Sequence, residues 1–263
     1  MKHMSAKRWI ILTMMIFILP LLALLIWYNL YNVNTLNNRI ADTNRNTIDL
    51  FSRSFEQDLE GIESYMANFL ANDTDSIQMR YPLSTIQAHV LSDQILTKYR
   101  TMMGTKKFMA AVFFHSDSNS ITKKIYNYNY TYEVKSTMES FVDSVWEDPS
   151  QYAGQGWSYH QIDGTPFLFY FLSSNGVCYV GVVDLDYVET PQDLTNAQRP
   201  SLLYFVNSKG KPVTALDKLS TVQLETSPFE GAYSIQGSPE NSYFIIQSEY
   251  QPYGLALQYA TPY

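Results

Sequence analysis

The hydrophobic residues of this chain are concentrated first in one long segment near the N-terminus. Residues 9–28 contain no charged side chain, one aliphatic hydroxyl, that of Thr13, and twelve Leu, Ile and Phe residues. As an α-helix these 20 residues would extend about 30 Å, which is the thickness of the hydrocarbon core of a bilayer. The pattern predicts a transmembrane helix over residues 9–28.

Charges beside this segment predict its orientation. Three basic residues precede it, and the next one along the chain is Arg39. The positive-inside rule therefore places residues 1–8 in the cytoplasm and residues 29–263 outside the cell, anchored in the plasma membrane. Because no small-residue cleavage site follows the apolar run, an uncleaved anchor is favoured over a signal peptide. The lipid bilayer is then the first predicted partner.

A second pattern, with apolar residues at steps of three and four, runs through residues 29–72 without a proline. This spacing predicts one long amphipathic helix that continues from the membrane segment. Its second half, from Ile48 to Phe69, is the more apolar, so we expect it to pack on a domain. The first half is rich in Asn and Thr and is predicted to be a stalk or the seam of a homodimer.

The remainder of the chain alternates between helical and strand patterns. Helical spacing recurs over residues 83–103, where Ser84 is a candidate N-cap, and over residues 132–146. Asp163-Gly164 and Asn175-Gly176 are two-residue hairpin signals. Strands are predicted at residues 108–115, 157–162, 166–173 and 177–185, and again at residues 202–207, 232–236, 243–248 and 255–260. Residues 121–130 are predicted to form a strand followed by an aromatic loop.

These elements predict an α+β protein with two units beyond the long helix. A larger membrane-distal unit is expected over residues 73–190. A linker, marked by the composition of residues 189–200, opens the second region, so that residues 191–263 hold this linker and a smaller membrane-proximal unit.

Composition and charge exclude several classes of function. The net charge is −7, and residues 29–263 alone carry −10, so nucleic acid is not an expected partner. The single cysteine, Cys178, excludes a disulfide framework and a cysteine-based zinc site. The four histidines are too far apart in sequence to suggest a ligand pair. We therefore predict no metal and no cofactor.

No catalytic residue is predicted either. Residues 120–123 match the S-x-x-K pattern of penicillin-recognising serine enzymes, in which a lysine lies one helical turn from a nucleophilic serine. Here the pattern falls at a predicted hairpin and no K-T-G element follows, so a chance match is favoured.

Aromatic side chains supply the candidate binding residues. Tyr126 and Tyr128 alternate with Tyr130 on one face, and Trp157 and Tyr159 alternate on another. Aromatic walls with a few polar groups suit a sugar, a heterocycle or another small organic molecule. Core packing is the competing explanation for any of these aromatic residues.

The layout and three local segments resemble a known family. Residues 180–187, 204–213 and 253–263 are similar to the end of the distal lobe, the first hairpin of the proximal lobe and the last strand of double-Cache sensor regions in YesM-type histidine kinases. The resemblance implies two PAS-like antiparallel lobes, the membrane-distal one larger than the membrane-proximal one. It also implies that Asp184 contacts a cationic group of the ligand. The competing interpretation of Asp184 is a strand-end carboxylate that caps backbone or pairs with Lys or Arg.

One departure from that family concerns the ligand. Its amino-acid-binding branch carries Arg-x-Trp and Tyr-x-Asp elements in the distal lobe. The segment around Trp157 has no arginine, and no Tyr-x-Asp partner is found. This argues against an α-amino acid as the ligand.

The sequence thus predicts the extracytoplasmic ligand-sensing region of a membrane receptor, most simply the sensor half of a two-component histidine kinase. Residues 1–263 are not expected to be an enzyme, since the kinase part would lie elsewhere in the protein. A membrane-bound AraC-type regulator and a chemoreceptor would use the same kind of region. An anchored extracellular hydrolase and a stand-alone binding module remain open as alternatives from other classes.

Overall fold

The computed structural model describes residues 6–147, 152, 154–188, 201–214, 233–238 and 241–263. The chain divides into two compact units, residues 1–46 and residues 47–263. The predicted linker at residues 189–200 lies outside the described residues, as does the predicted strand start at Ala232.

A single helix, α1, extends over Ala6–Asn72 and includes Pro20. Its described part contains one segment that is long and apolar enough to cross a membrane, as judged by length and composition alone. Apolar side chains in this segment are exposed, and Phe17 reaches 73%. Exposed apolar surface of this extent is unfavourable in water and suits a lipid environment. The segment coincides with the one predicted from the hydrophobic pattern.

The second half of α1 has a buried apolar face, as its spacing predicted. Six of its apolar side chains are buried within the second unit, namely Ile48, Phe55, Leu59, Ile62, Met66 and Phe69. Phe55 contacts two different parts of that unit, with its ring centroid 6.2 Å from that of Phe108 and 5.5 Å from that of Phe205.

The first lobe is an antiparallel five-stranded sheet with helices on both faces. Its helices are α2 (Thr74–Gln78), α3 (Thr85–Thr105) and α4 (Tyr132–Glu147). Its strands are β1 (Met109–Ser116), β2 (Ile121–Tyr126), β3 (Trp157–Ile162), β4 (Thr165–Ser174) and β5 (Val177–Asp184). The strand order is β2-β1-β5-β4-β3.

Local signals fix several of these boundaries. Ser84 caps α3 in a capping box with Gln87, as expected from the sequence. Asp163 and Asn175 both have positive φ angles, 48° and 52°, as two-residue hairpin turns require. The polar stretch after α1 contains the short helix α2. The reason is local, because the Asp73 side chain accepts hydrogen bonds from the first amides of that helix.

The predicted strand and aromatic loop over residues 121–130 divide at Tyr126, and strand β5 ends one residue before its apolar run does. Strand β2 stops at Tyr126, so that Tyr128 and Tyr130 lie in the loop before α4. Strand β5 stops at Asp184, and a 3₁₀ turn follows over Leu185–Tyr187. Asp184 and Asp186 therefore do not share a strand face, which a longer strand would have required.

The second lobe repeats the strand order of the first. Its strands are β6 (Leu202–Asn207), β7 (Ser234–Ser238), β8 (Asn241–Gln247) and β9 (Leu255–Pro262), in the order β6-β9-β8-β7. A bridge between Val206 and Pro212 adds a short hairpin partner at the outer edge of β6. Both sheets thus have the same strand order. In each, the first strand lies between its hairpin partner and the last strand, and the fourth and third strands follow the last one. This confirms the α+β class, with a long helix and two PAS-like antiparallel lobes of which the first is larger.

The two faces of the first sheet have different neighbours. On one face, β5 lies directly against α1, because a Cβ atom on Gly181 would be 2.8 Å from the Met66 Sδ atom. On the other face, Phe167, Phe169 and Phe171 of β4 form a buried cluster with α4. The side chains of any one strand alternate between these two environments.

Candidate functional site

A buried carboxylate marks the end of β5. Asp184 is only 1% exposed and pairs in register with Phe167, so its side chain lies on the α4 face of the sheet. One carboxylate oxygen, Oδ2, accepts a hydrogen bond of 2.8 Å from the Tyr130 hydroxyl. The other, Oδ1, accepts one of 2.9 Å from the Asp186 amide. Asp184 therefore caps the 3₁₀ turn and also faces an aromatic wall.

The charge of Asp184 is poorly compensated. Burial raises the pKa of its carboxyl from 3.8 to about 6, against the opposing effect of the hydrogen bonds from Tyr130 and Asp186. Within the part of the chain that the structure describes, Asp184 forms no ion pair with Lys, Arg or His. Its donors are a phenol and a backbone amide, so a positive charge or additional donors would stabilise the ionised form.

Residues 127–131, here called the strap, connect β2 to α4 across this end of the sheet. The strap begins with a hydrogen bond of 2.8 Å from the Asn127 amide to the Ala110 carbonyl. The Tyr128 hydroxyl donates to the Lys107 carbonyl, and its ring stacks on that of Tyr187 with 3.7 Å between centroids. The strap therefore covers the region beside Asp184 with aromatic side chains.

Tyr126 precedes the strap and lines the same face of the sheet. Its hydroxyl donates a hydrogen bond of 2.8 Å to Oε1 of Glu139 on α4. Glu139 also pairs with Lys124, with 2.6 Å between Oε2 and Nζ. Burial raises the pKa of the Tyr126 hydroxyl, and the bond to Glu139 adds to this effect. Tyr126 is thus a half-buried donor that is already engaged by α4.

Trp157 and Tyr159 lie on the opposite face of the sheet. Trp157 pairs with Tyr170, 5.3 Å between ring centroids, and Tyr159 pairs with Leu168. The pKa of Tyr170 is raised mainly by burial and next by the charge of Glu63, which lies on α1. This row of side chains therefore faces α1. The structure therefore brings Tyr126, Tyr128 and Asp184 to the α4 side and leaves Trp157 and Tyr159 on the α1 side.

Sequence reasoning did not select two residues that belong to the cluster around Asp184. Tyr130 bonds the carboxylate directly, and its ring lies 5.7 Å from that of Phe167. Tyr187 stacks on Tyr128. The alternation of Tyr126, Tyr128 and Tyr130 was a signal for the first of these. No local pattern points to Tyr187, which approaches Tyr128 only because β5 lies next to β1 in the sheet.

A separate polar cleft lies between the start of α3 and the β1–β2 hairpin. Its volume is about 400 Å³, and its lining residues are Leu83, Thr85, Ala88, His89, Ser118, Asn119, Ser120, Ile121 and Thr122. Ser120 occupies the left-handed conformation, with φ 49°, and ends the turn before β2. The S-x-x-K match therefore runs from a turn into a strand, a geometry unlike the helical one that a serine–lysine pair uses.

The same hairpin carries a chain of three polar side chains. The His115 Nδ1 atom lies 2.8 Å from Thr122 Oγ1, and its Nε2 atom lies 2.9 Å from Asp117 Oδ1. If Nε2–H donates to the carboxylate, Nδ1 accepts from the hydroxyl. The ring of His115 stacks on that of Trp146. Among the described residues, no group of three or more His, Cys, Asp or Glu side chains could hold a metal ion.

No protein-family model matches this chain, and no curated protein matches it by sequence.

Several solved structures have a backbone path similar to that of this chain. The extracellular domain of vpHK1S-Z8, a protein named as a histidine kinase, is 13% identical, covers 86% of this chain and 95% of its own, and has a TM-score of 0.48. The sensor domain of the V. cholerae histidine kinase DctB is 11% identical, with 86% and 98% covered and a TM-score of 0.45. The ligand-binding domain of the Pseudomonas aeruginosa PAO1 amino acid chemoreceptor PctC, solved with GABA, is 11% identical, with 81% and 96% covered and a TM-score of 0.45. Because these sequence identities are only 11–13%, the chemistry of the site is inferred from the residues of this chain.

Proposed function

We propose that this chain is the extracytoplasmic ligand-sensing region of a membrane receptor, and that its ligand site lies on the α4 side of the first lobe around Asp184. The observation that carries the proposal is the poorly compensated carboxylate of Asp184, 1% exposed among aromatic side chains. A buried charge without an ionic partner destabilises the fold, so its presence favours a role in binding.

The ligand proposed for this site is a small organic molecule, such as a sugar, that offers hydrogen-bond donors or a positive charge. Asp184 would accept from those donors, while Tyr126 and Tyr128 would provide aromatic walls. An α-amino acid is disfavoured, because the Arg-x-Trp and Tyr-x-Asp elements of the amino-acid-binding branch are absent from the sequence.

The apolar segment of α1 provides the membrane attachment in this proposal. The basic residues before it favour a cytoplasmic N-terminus and an extracytoplasmic position for both lobes, at the plasma membrane. The receptor that we favour is a two-component histidine kinase of the YesM type. An AraC-type regulator or a chemoreceptor would be distinguished by the coding sequence that follows the codon for Tyr263.

Helix α1 is the element proposed to carry the signal. Its Met66 lies against Gly181 of β5, three residues before Asp184 in the same strand. Its Phe55 contacts both lobes, and its Ser52 accepts a hydrogen bond of 3.0 Å from Gln251 of the second lobe. A ligand that displaces β5 would therefore bias the arrangement of α1 between two states, which a homodimer along this helix could transmit.

The test is a ligand screen on the full chain in detergent micelles. Sugars, polyamines, amines, amino acids and organic acids would be screened by thermal shift, and positives would be measured by calorimetry. We expect at least one compound to bind the wild-type chain and to lose about tenfold or more in affinity in Asp184→Asn, because a charge-assisted hydrogen bond is lost.

The matched control for this screen is Asp163→Asn, which changes an exposed carboxylate in a hairpin turn that asparagine also tolerates. This variant should bind as the wild type does. A ligand whose affinity is the same in Asp184→Asn and in the wild type would place the binding site elsewhere.

A second candidate function, an anchored extracellular hydrolase, is favoured by one observation. The order Thr122, His115, Asp117 is that of a nucleophile, a base and an orienting carboxylate. Against it, the Asp117 side chain is 62% exposed, so water is not excluded from the chain of hydrogen bonds. Turnover of ester or glycoside substrates that His115→Ala abolishes and His89→Ala preserves would support this function over ligand sensing.

A further inference from the structure

The strap is attached at both ends by backbone hydrogen bonds and in its middle by tyrosine side chains. The Asn127 amide bonds the Ala110 carbonyl at one end, and at the other the Lys135 amide bonds the Thr131 carbonyl, 3.1 Å, as α4 begins. Between these bonds, Tyr128 and Tyr130 reach from the strap to the body of the lobe. A segment held in this way can move without breaking the sheet or α4.

Of these two tyrosines, Tyr130 is the one that bonds the proposed ligand-binding group. Its hydroxyl donates to Asp184 Oδ2, and its ring lies edge-on to Phe167, which pairs with Asp184 across the β4–β5 ladder. The hydroxyl of Tyr128 instead donates to a backbone carbonyl. Tyr130 thus links the strap to the carboxylate, whereas Tyr128 links it to the loop before β1.

We propose that Tyr130 is a latch whose hydroxyl takes, on Asp184, the position that a ligand's donor occupies in the bound state. The inference rests on the proposed function, because it concerns the same carboxylate. Ligand binding then requires the strap to swing away and Tyr130 to leave Asp184. Tyr130 acts as a specificity-determining residue as well as a cover for the site.

The specificity follows from the exchange of one hydrogen bond for another. A molecule with an O–H or N–H donor replaces the bond that Tyr130 gives up, so the buried carboxylate keeps its donors. An apolar molecule of the same size would leave Oδ2 buried without one, which is strongly unfavourable for a charged group. The latch therefore selects for ligands with a donor at the end that enters first.

The latch can be tested in the absence of any ligand by measuring access to the α4 face of β5 beside the strap. Val182 is buried, lies two residues before Asp184 on the same strand face, and is close in volume to cysteine. In Val182→Cys, the rate of modification by N-ethylmaleimide reports how often this buried face becomes accessible. The native Cys178 is buried in the same strand, with a pKa raised by burial to about 11, and serves as an internal reference for opening of the whole lobe.

We expect Tyr130→Phe, added to Val182→Cys in the full chain, to raise the modification rate at position 182 by about tenfold, since a hydrogen bond to a charged group is removed while the ring is kept. The rate at Cys178 should stay unchanged. Tyr132→Phe is the matched control, because it removes a hydroxyl from an 84% exposed tyrosine just after the strap without touching Asp184, and it should change the rate at position 182 by about twofold or less.

Two results would overturn the latch. Equal rates at position 182 with and without the Tyr130 hydroxyl would show that it does not hold the strap closed. Parallel acceleration at positions 178 and 182 would show that Tyr130 stabilises the lobe as a whole. If Val182→Cys does not fold, Ala111→Cys, buried and paired with Val182 in the sheet, is the second reporter.

The latch and the proposed function fail in different ways. A latch without a ligand site would accelerate modification at position 182 in Tyr130→Phe, while the ligand screen remained negative. A ligand site without a latch would give a positive screen that depends on Asp184, while the modification rates stayed equal.

Discussion

Asp184 differs from most carboxylates of folded proteins because burial, rather than a partner, dominates its titration. Its pKa rises to about 6 in the folded chain, whereas an unfolded chain has a value near 3.8. The folded state therefore holds its proton more tightly than the unfolded state does. Stability from this group is fully present below about pH 4 and is lost as the pH rises through 6.

From this titration we predict the behaviour of Asp184→Asn. At pH 7.5 the free energy of unfolding of the variant should exceed that of the wild type by up to about 3 kcal/mol, because a buried charge is removed. Its unfolding temperature should rise by several degrees. The difference should shrink toward pH 4.5, where Asp184 is protonated. Thermal unfolding followed by circular dichroism at pH 4.5, 6.0 and 7.5 measures it, with Asp163→Asn as the control. Identical pH dependence in all three proteins would contradict the assignment of the raised pKa to Asp184.

At the scale of elements, strand β5 is the part of the first lobe that touches both the candidate site and α1. Val182 and Asp184 face α4, while Gly181 faces Met66. A Cβ at position 181 would meet the end of the fully buried Met66 side chain, so that side chain would have to shift for a larger residue to fit.

We therefore predict that Gly181→Ala separates α1 from β5. The added Cβ would lie 2.8 Å from Met66 Sδ, so the variant should lose about 1–3 kcal/mol of stability through overpacking. It should also weaken any coupling of ligand binding to α1. Thermal unfolding of the full chain measures the first effect.

Gly61→Ala is the matched control for this substitution. Gly61 lies in α1, and a Cβ atom at this position would meet no atom within 4 Å. In an exposed helix interior, the change from Gly to Ala should stabilise by up to about 1 kcal/mol. If both substitutions had the same effect, the close contact between Gly181 and Met66 would be without consequence for stability.

At the scale of the whole molecule, both lobes share one strand order and pack on one helix. Phe55 contacts residues of each, Phe108 in the first lobe and Phe205 in the second. Leu50, one turn earlier, is 70% exposed. An exposed leucine on the part of α1 that packs on the lobes is suited to a contact between two copies of this helix.

We predict that Leu50→Asp weakens the proposed homodimer. A charge at the centre of a helix–helix contact is desolvated without a partner, so the dissociation constant should rise by about tenfold or more. Light scattering after size-exclusion chromatography of the full chain in micelles measures the mass of the complex. Ile86→Asp, at a 79% exposed position on α3, is the control. A wild-type chain that is monomeric at every concentration would remove the dimer from the proposal.

The helices, the hairpins and the α+β class could be predicted because their signals are local. The apolar run before residue 28, the steps of three and four along α1, and the Asp163-Gly164 and Asn175-Gly176 turns each act over a few residues. The capping interactions of Asp73 and Ser84 are equally local, although the helix after Asp73 is too short to stand out by periodicity.

The composition of the candidate site depends on contacts that no local pattern contains. Tyr130 and Asp184 are 54 residues apart and meet because β1 and β5 are neighbours in the sheet. The pairing register of β3 with β4 places Trp157 and Tyr159 toward α1, away from Tyr126. The sequence by itself determined which segments are helices and strands and which one is long and apolar enough to cross a membrane, since hydrophobic periodicity and turn chemistry act at short range. Only the tertiary structure decided which aromatic residues share a face with Asp184, because strand order and register are properties of the packed sheet as a whole.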